Sequence, residues 1–112
     1  MGEHHAMKIL TKPEELLLLA ICNLKDDAYG VEILKYVSEK TGTEWSIGSI
    51  YVPLDRLARL GYVESYLGEP TAKRGGKKKR YFRITKLGLK TLKENKRVHD
   101  EMWSEMPNLA TG

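Results

Sequence analysis

The stretch "KRGGKKKRYF", Lys73 to Phe82, sets six cations around two glycines and ahead of an aromatic pair. The cations are Lys73, Arg74, Lys77, Lys78, Lys79 and Arg80. Cations at this density neutralise phosphates, and glycine lets the segment that carries them bend along a groove. A solvated turn or a localisation address can share the composition, so position in the fold must decide. Covalent chemistry finds no comparable support. His4 and His5 lie at the start of the chain and His99 stands alone on a predicted helix. Neither a nucleophile-and-base pair nor a phosphate loop is apparent, which makes an enzyme a poor reading. The single cysteine, Cys22, can form neither an internal disulfide nor a cysteine-based zinc site. The chain is expected to use no cofactor and no metal.

The charge is concentrated. Lys73 to Arg80 carries +6 of a formal net +4, which leaves −2 for the remainder. A near-neutral body with one basic block argues for a localised anionic partner. With 112 residues, 41% hydrophobic and 30% charged, the chain has the make-up of one small folded domain. Its most apolar run, "LLLLAIC", is too short to span a bilayer and is flanked by Glu14, Glu15, Asp26 and Asp27. The expected setting is cytoplasmic, without a membrane partner, and Cys22 in that run reads as a small buried hydrophobe.

Four helices and a hairpin must position the basic block. Residues 1–10 are set aside as a flexible lead-in. "TKPEELLLLAICNL" opens the first helix, with Thr11 and Glu14 at capping-box spacing and Pro13 in the first turn. "DAYGVEILKYVSEKTG" is the second, with Asp27 as its expected cap, an apolar stripe of Val31, Ile33, Leu34 and Val37, and Gly42 as its stop. In "SIGSIYVPLDRLARLGY" the residues Ile50, Leu54, Leu57 and Leu60 recur at helical spacing and are expected to face the core. Ser46 or Ser49 can cap this third helix, and Pro53 predicts an irregular or late beginning. After Gly61 the pattern turns strand-like. "YVESYLGE" and "KRYFRIT" flank a turn containing proline and glycine, which makes a β-hairpin. A last helix runs from Thr85 to Met106, its apolar seam interrupted by Asn95 and His99.

The predicted fold class is mainly α with a two-stranded β-hairpin: a winged helix-turn-helix over residues 11–84, then a C-terminal dimerisation helix over 85–106 and a tail over 107–112. In that arrangement the third helix reads DNA and the hairpin is a wing on the backbone. Gly48, Val52, Asp55 and Arg59 lie opposite the reader's apolar stripe, with Ser49, Tyr51 and Arg56 on its flanks and Ser46 at its start. The Ser49 and Tyr51 hydroxyls suit phosphates; Val52 can meet a thymine methyl, and Asp55 can accept from a cytosine amine. Strand alternation sends Lys78 and Arg80 to one face of the wing and Lys79 and Tyr81 to the other.

Several linked motifs resemble the PadR-like family of bacterial and archaeal transcriptional regulators. They are Tyr29-Gly30, the reader's opening Gly48-Ser49-Ile50-Tyr51, then Leu54, Arg56, Leu57 and Gly61, and the exit from the wing at Arg80-Tyr81, Thr85 and Gly88. The match runs from about Glu15 to Leu92. In this chain Val52 separates the reader's tyrosine from Pro53, and Ala58 stands where the family favours an acid. The resemblance implies a homodimer that binds double-stranded operator DNA and usually represses nearby genes, paired through the last helix. It also implies release or modulation by a small planar aromatic effector. On that helix Met102, Trp103 and Met106, with His99, are the candidate effector residues, since an indole flanked by thioethers adapts to flat ligands. The competing reading is a winged-helix module that binds RNA or DNA without sequence choice and without an effector.

Overall fold

The computed structural model describes residues 7–68 and 79–108. The elements are α1 (Lys12–Leu24), a 3-10 turn (Lys25–Asp27), α2 (Gly30–Thr41), α3 (Ile47–Arg59), β1 (Val63–Leu67), β2 (Arg80–Ile84) and α4 (Lys86–Ser104). The strands form an antiparallel hairpin in which Tyr66 faces Tyr81 and Glu64 faces Arg83. The backbone of β2 also reaches the segment between α1 and α2: the Phe82 amide donates to the Ala28 carbonyl at 2.8 Å, and Tyr29 bridges to Tyr81. This is a winged helix-turn-helix followed by a long helix.

The helices start where their side chains satisfy free backbone amides. Thr11 and Glu14 complete a reciprocal capping box on α1, Ser46 accepts from the Ser49 amide on α3, and Thr85 accepts from the Gly88 amide on α4. α2 differs from the expectation. Asp27 lies in the 3-10 turn, and the cap position falls to Tyr29, whose side chain makes no capping bond. Proline does not delay α3, which begins at Ile47 and carries Pro53 inside it. The carbonyl that loses a donor there belongs to Ser49, an exposed position where water can serve.

The core collects Leu17, Leu18 and Ile21 from α1, Ile33 and Val37 from α2, Ile50, Leu54 and Leu57 from α3, and Phe82 from β2. Leu60, expected in the core, falls outside it, and so do other apolar residues. Leu60 is 42% exposed because α3 ends at Arg59 and the chain turns away. Val31 is exposed in the first turn of α2, and Leu67 is exposed at the end of β1. Cys22 packs partly buried against the core, and burial pushes its thiol pKa up.

The lead-in is more ordered at its end than expected. Leu10 is buried, its amide donates to the Asn95 Oδ1 at 2.9 Å, and Asn95 Nδ2 donates to the Lys8 carbonyl at 2.9 Å. Asn95 therefore clasps the chain ahead of α1 onto α4. Elsewhere on α4, Gly88 is required by proximity: a Cβ there would stand 2.1 Å from the Tyr62 carbonyl oxygen. Among the described residues no helix is long and apolar enough to cross a membrane.

Candidate nucleic-acid interface

The outward face of α3 is built on the three core residues Ile50, Leu54 and Leu57, which leave Gly48, Ser49, Val52 and Arg59 exposed. Val52 is 71% exposed, an apolar side chain standing on the face that would enter a groove. The Ser49 hydroxyl is occupied locally, donating to the Ser46 carbonyl at 2.7 Å. Tyr51 turns inward. It is half-buried, its ring centroid lies 6.4 Å from that of Phe82, and a Cβ on Gly30 would meet its hydroxyl at 2.1 Å. Gly30 is thus the seat for the reader's tyrosine.

Each flank of α3 carries an ion pair, and the two have opposite polarity. On one side Asp55 Oδ1 receives Arg80 Nη2 of β2 at 3.1 Å. On the other, Arg56 Nε lies 3.7 Å from Glu14 Oε2 of α1. Asp55, read from sequence as a base contact, is here engaged with the wing.

The base of the wing is fixed by aromatic stacking. Tyr66 and Tyr81 stack across the strands with centroids 5.6 Å apart, and Tyr81 meets Tyr29 edge-on at 5.3 Å. Lys79 places its ammonium 3.2 Å from the Tyr29 ring centroid, and the Arg83 guanidinium lies 4.9 Å from the Tyr66 ring. Lys79 and Tyr81 therefore share the Tyr29 side of the hairpin while Arg80 turns to α3, as alternation predicts. Lys73, Arg74, Lys77 and Lys78 lie outside the described residues.

Sequence reasoning passed over Tyr29 and Tyr66 as parts of this surface, and over Glu14 as the buried partner of Arg56. The register that sets Tyr66 against Tyr81 was a findable signal once the hairpin was drawn; the Glu14–Arg56 pair spans α1 and α3 and left no local mark.

The last helix stops at Ser104, short of the expected Met106, so of the candidate effector residues Met102 and Trp103 lie on α4 and Met106 just beyond it; they are 65%, 63% and 47% exposed. Trp103 Nε1 donates to His99 Nε2 at 3.2 Å, so the structure brings these two together one helical turn apart. The neighbouring Asp100 carboxyl is held below its ordinary range, chiefly by a hydrogen bond from Lys96. A groove of about 350 Å³ lies between α1 and α4, lined by Leu19, Leu92, Lys96 and His99 among others. Among the described residues no cluster of histidine, cysteine and acidic side chains is arranged to hold a metal ion.

Residues 18–94 match the family model described as the transcriptional regulator PadR-like family. A curated relative from Lysinibacillus sphaericus, named only "Uncharacterized protein X", is 37% identical over 73 residues. That alignment covers 63% of this chain and 64% of the relative, so the chain spans less than two thirds of that protein's length. Among solved structures, a PadR-like transcriptional regulator from Bacillus cereus superposes with a TM-score of 0.71 at 29% identity, covering 88% of this chain and 91% of that one. A transcriptional regulator from Clostridium thermocellum superposes with a TM-score of 0.69 at 26% identity, covering 88% and 90%.

Proposed function

The chain belongs to the PadR-like family of transcriptional regulators, a DNA-binding regulatory family, and from that premise we propose that it is a repressor acting as a homodimer on operator DNA. The observation that carries the reading is the joint placement of α3 and the hairpin. Phe82 of β2 shares the core with Ile50, Leu54 and Leu57 of α3, and Arg80 pairs with Asp55, so hairpin and helix can address one duplex together. In this reading α3 lies in the major groove with Val52 and Arg59 toward base edges. The basic block from Lys73 to Arg80 follows the phosphates.

The dimer forms through α4. Its exposed Met102 and Trp103, with Met106 just past its end, make an apolar patch that a second copy would cover. A planar aromatic effector fits the same place, held by Trp103 with His99 fixing the indole edge. Protection of the DNA beside the protein's own gene in two symmetric half-sites is the expected footprint. An unprotected flank, with binding spread evenly over any duplex, would contradict it.

One observation favours the reading without sequence choice. Of the groups on the reader's outward side, Gly48 and Val52 offer no hydrogen bond to a base, and Asp55 is already paired. Equal affinity for structured RNA and duplex DNA would bring that reading forward.

A further inference from the structure

Glu14 is 1% exposed, and among the described residues it is the buried charged side chain of the fold. Its capping task needs one oxygen: Oε1 accepts the Thr11 amide at 2.8 Å. A glutamine in the same place would do as much. The second oxygen, Oε2, is buried and makes no hydrogen bond. A full charge taken out of water is unfavourable unless a cation compensates it. Two cations stand near: Lys8 Nζ at 3.7 Å from Oε1, and Arg56 Nε at 3.7 Å from Oε2.

Arg56 approaches Glu14 with its Nε, at a distance of charge pairing rather than of a closed hydrogen bond. The rest of its side chain, 56% exposed, lies on the flank of α3 beside the outward face. The attraction draws the Nε side of the guanidinium toward α1 and favours orientations that turn the terminal nitrogens outward, where they can fork onto a phosphate. Lys8, by contrast, is tied down through its own backbone to Asn95 of α4.

We infer that Glu14 is a positioning residue for DNA binding: its charge, which capping does not need, orients Arg56 so that the terminal nitrogens reach a backbone phosphate alongside α3. The inference rests on the DNA-binding reading above.

Glu14→Gln keeps an oxygen for the Thr11 amide and removes the charge. The wild type, Glu14→Gln, Arg56→Gln and the double variant would each be titrated onto a mixed-sequence duplex over a salt series, with thermal unfolding measured alongside. Glu14→Gln is expected to unfold near the wild-type temperature and to bind about tenfold more weakly at low salt. Its slope of log K against log salt should be shallower by about one for each phosphate that Arg56 no longer neutralises. In the Arg56→Gln background Glu14→Gln should have no further effect. Should Arg56→Gln alone fail to fold, the double variant is compared with Glu14→Gln, and the two should then bind alike. Unchanged affinity and slope in Glu14→Gln, or additive weakening in the double variant, would overturn the inference while leaving DNA binding intact. A wild type that binds no duplex at any salt would overturn both.

Discussion

Arg80 of the hairpin and Asp55 of α3 are joined by an ion pair of 3.1 Å, which links the wing to the middle of the reading helix. The two side chains are 38% and 46% exposed, so water screens the pair and its contribution to stability should stay under about 1 kcal/mol. Its consequence is geometric. While the pair is closed, Arg80 is turned toward α3, and in the proposed docking a carboxylate would lie close to the phosphates.

Asp55→Asn removes that carboxylate and releases Arg80. The expected result is tighter binding to every duplex, with a salt slope steeper by about one per wing, and a smaller difference between operator and random DNA. A salt titration on both duplexes measures it. Weaker binding to all DNA would instead mean that the closed pair is the productive geometry of Arg80.

The tyrosines at the base of the wing predict a graded response. Tyr81 touches both Tyr29 and Tyr66, and each aromatic pair contributes about 0.5–1.5 kcal/mol beyond burial. Tyr81→Ala should lower unfolding stability by about 2–4 kcal/mol, whereas Tyr81→Phe, which keeps both ring pairs, should change it by less than about 1 kcal/mol. Urea unfolding of the two variants separates these outcomes.

Asn95 breaks the apolar seam of α4 for a reason internal to the chain. Its side-chain amide bonds the Leu10 amide, the Lys8 carbonyl and the Thr91 carbonyl. Asn95→Ala should cost about 1–3 kcal/mol and release the segment ahead of α1. Hydrogen exchange at the Leu10 amide should then become fast while the core amides of α1 keep most of their protection.

Trp103 offers a test of the proposed dimer. It is 63% exposed on the single chain, so pairing through α4 should move its emission to shorter wavelength, and dilution should reverse the shift. The reading is made in a Trp45→Phe background, since Trp45 is the other tryptophan. Emission that stays at the wavelength of a solvated indole at every concentration would count against pairing through this end of α4.

The fold was largely legible because its signals are local. Thr11, Ser46 and Thr85 cap the helices at positions their spacing announces, and the change of period after Gly61 announces the hairpin. The errors arose where tertiary packing overrides local pattern. Leu60 keeps the helical spacing but falls after the last turn of α3, and Asp27 has a capping side chain but sits in a 3-10 turn. The site was legible only in outline. Exposed positions on α3 follow from its apolar stripe, yet the partners of Asp55, Arg56 and Tyr51 come from β2, α1 and α2. Pairings at such separations leave no periodic trace in one sequence.

The central claim is that α3 and the wing select one duplex among many. The most direct test titrates the purified full chain onto duplex DNA from beside its own gene and onto a mixed-sequence duplex, each at two salt concentrations. The account predicts binding about a thousandfold tighter to one site than to mixed-sequence DNA, by a dimer, with the discrimination surviving the higher salt. Equal affinity for both duplexes, lost together as salt rises, would contradict it.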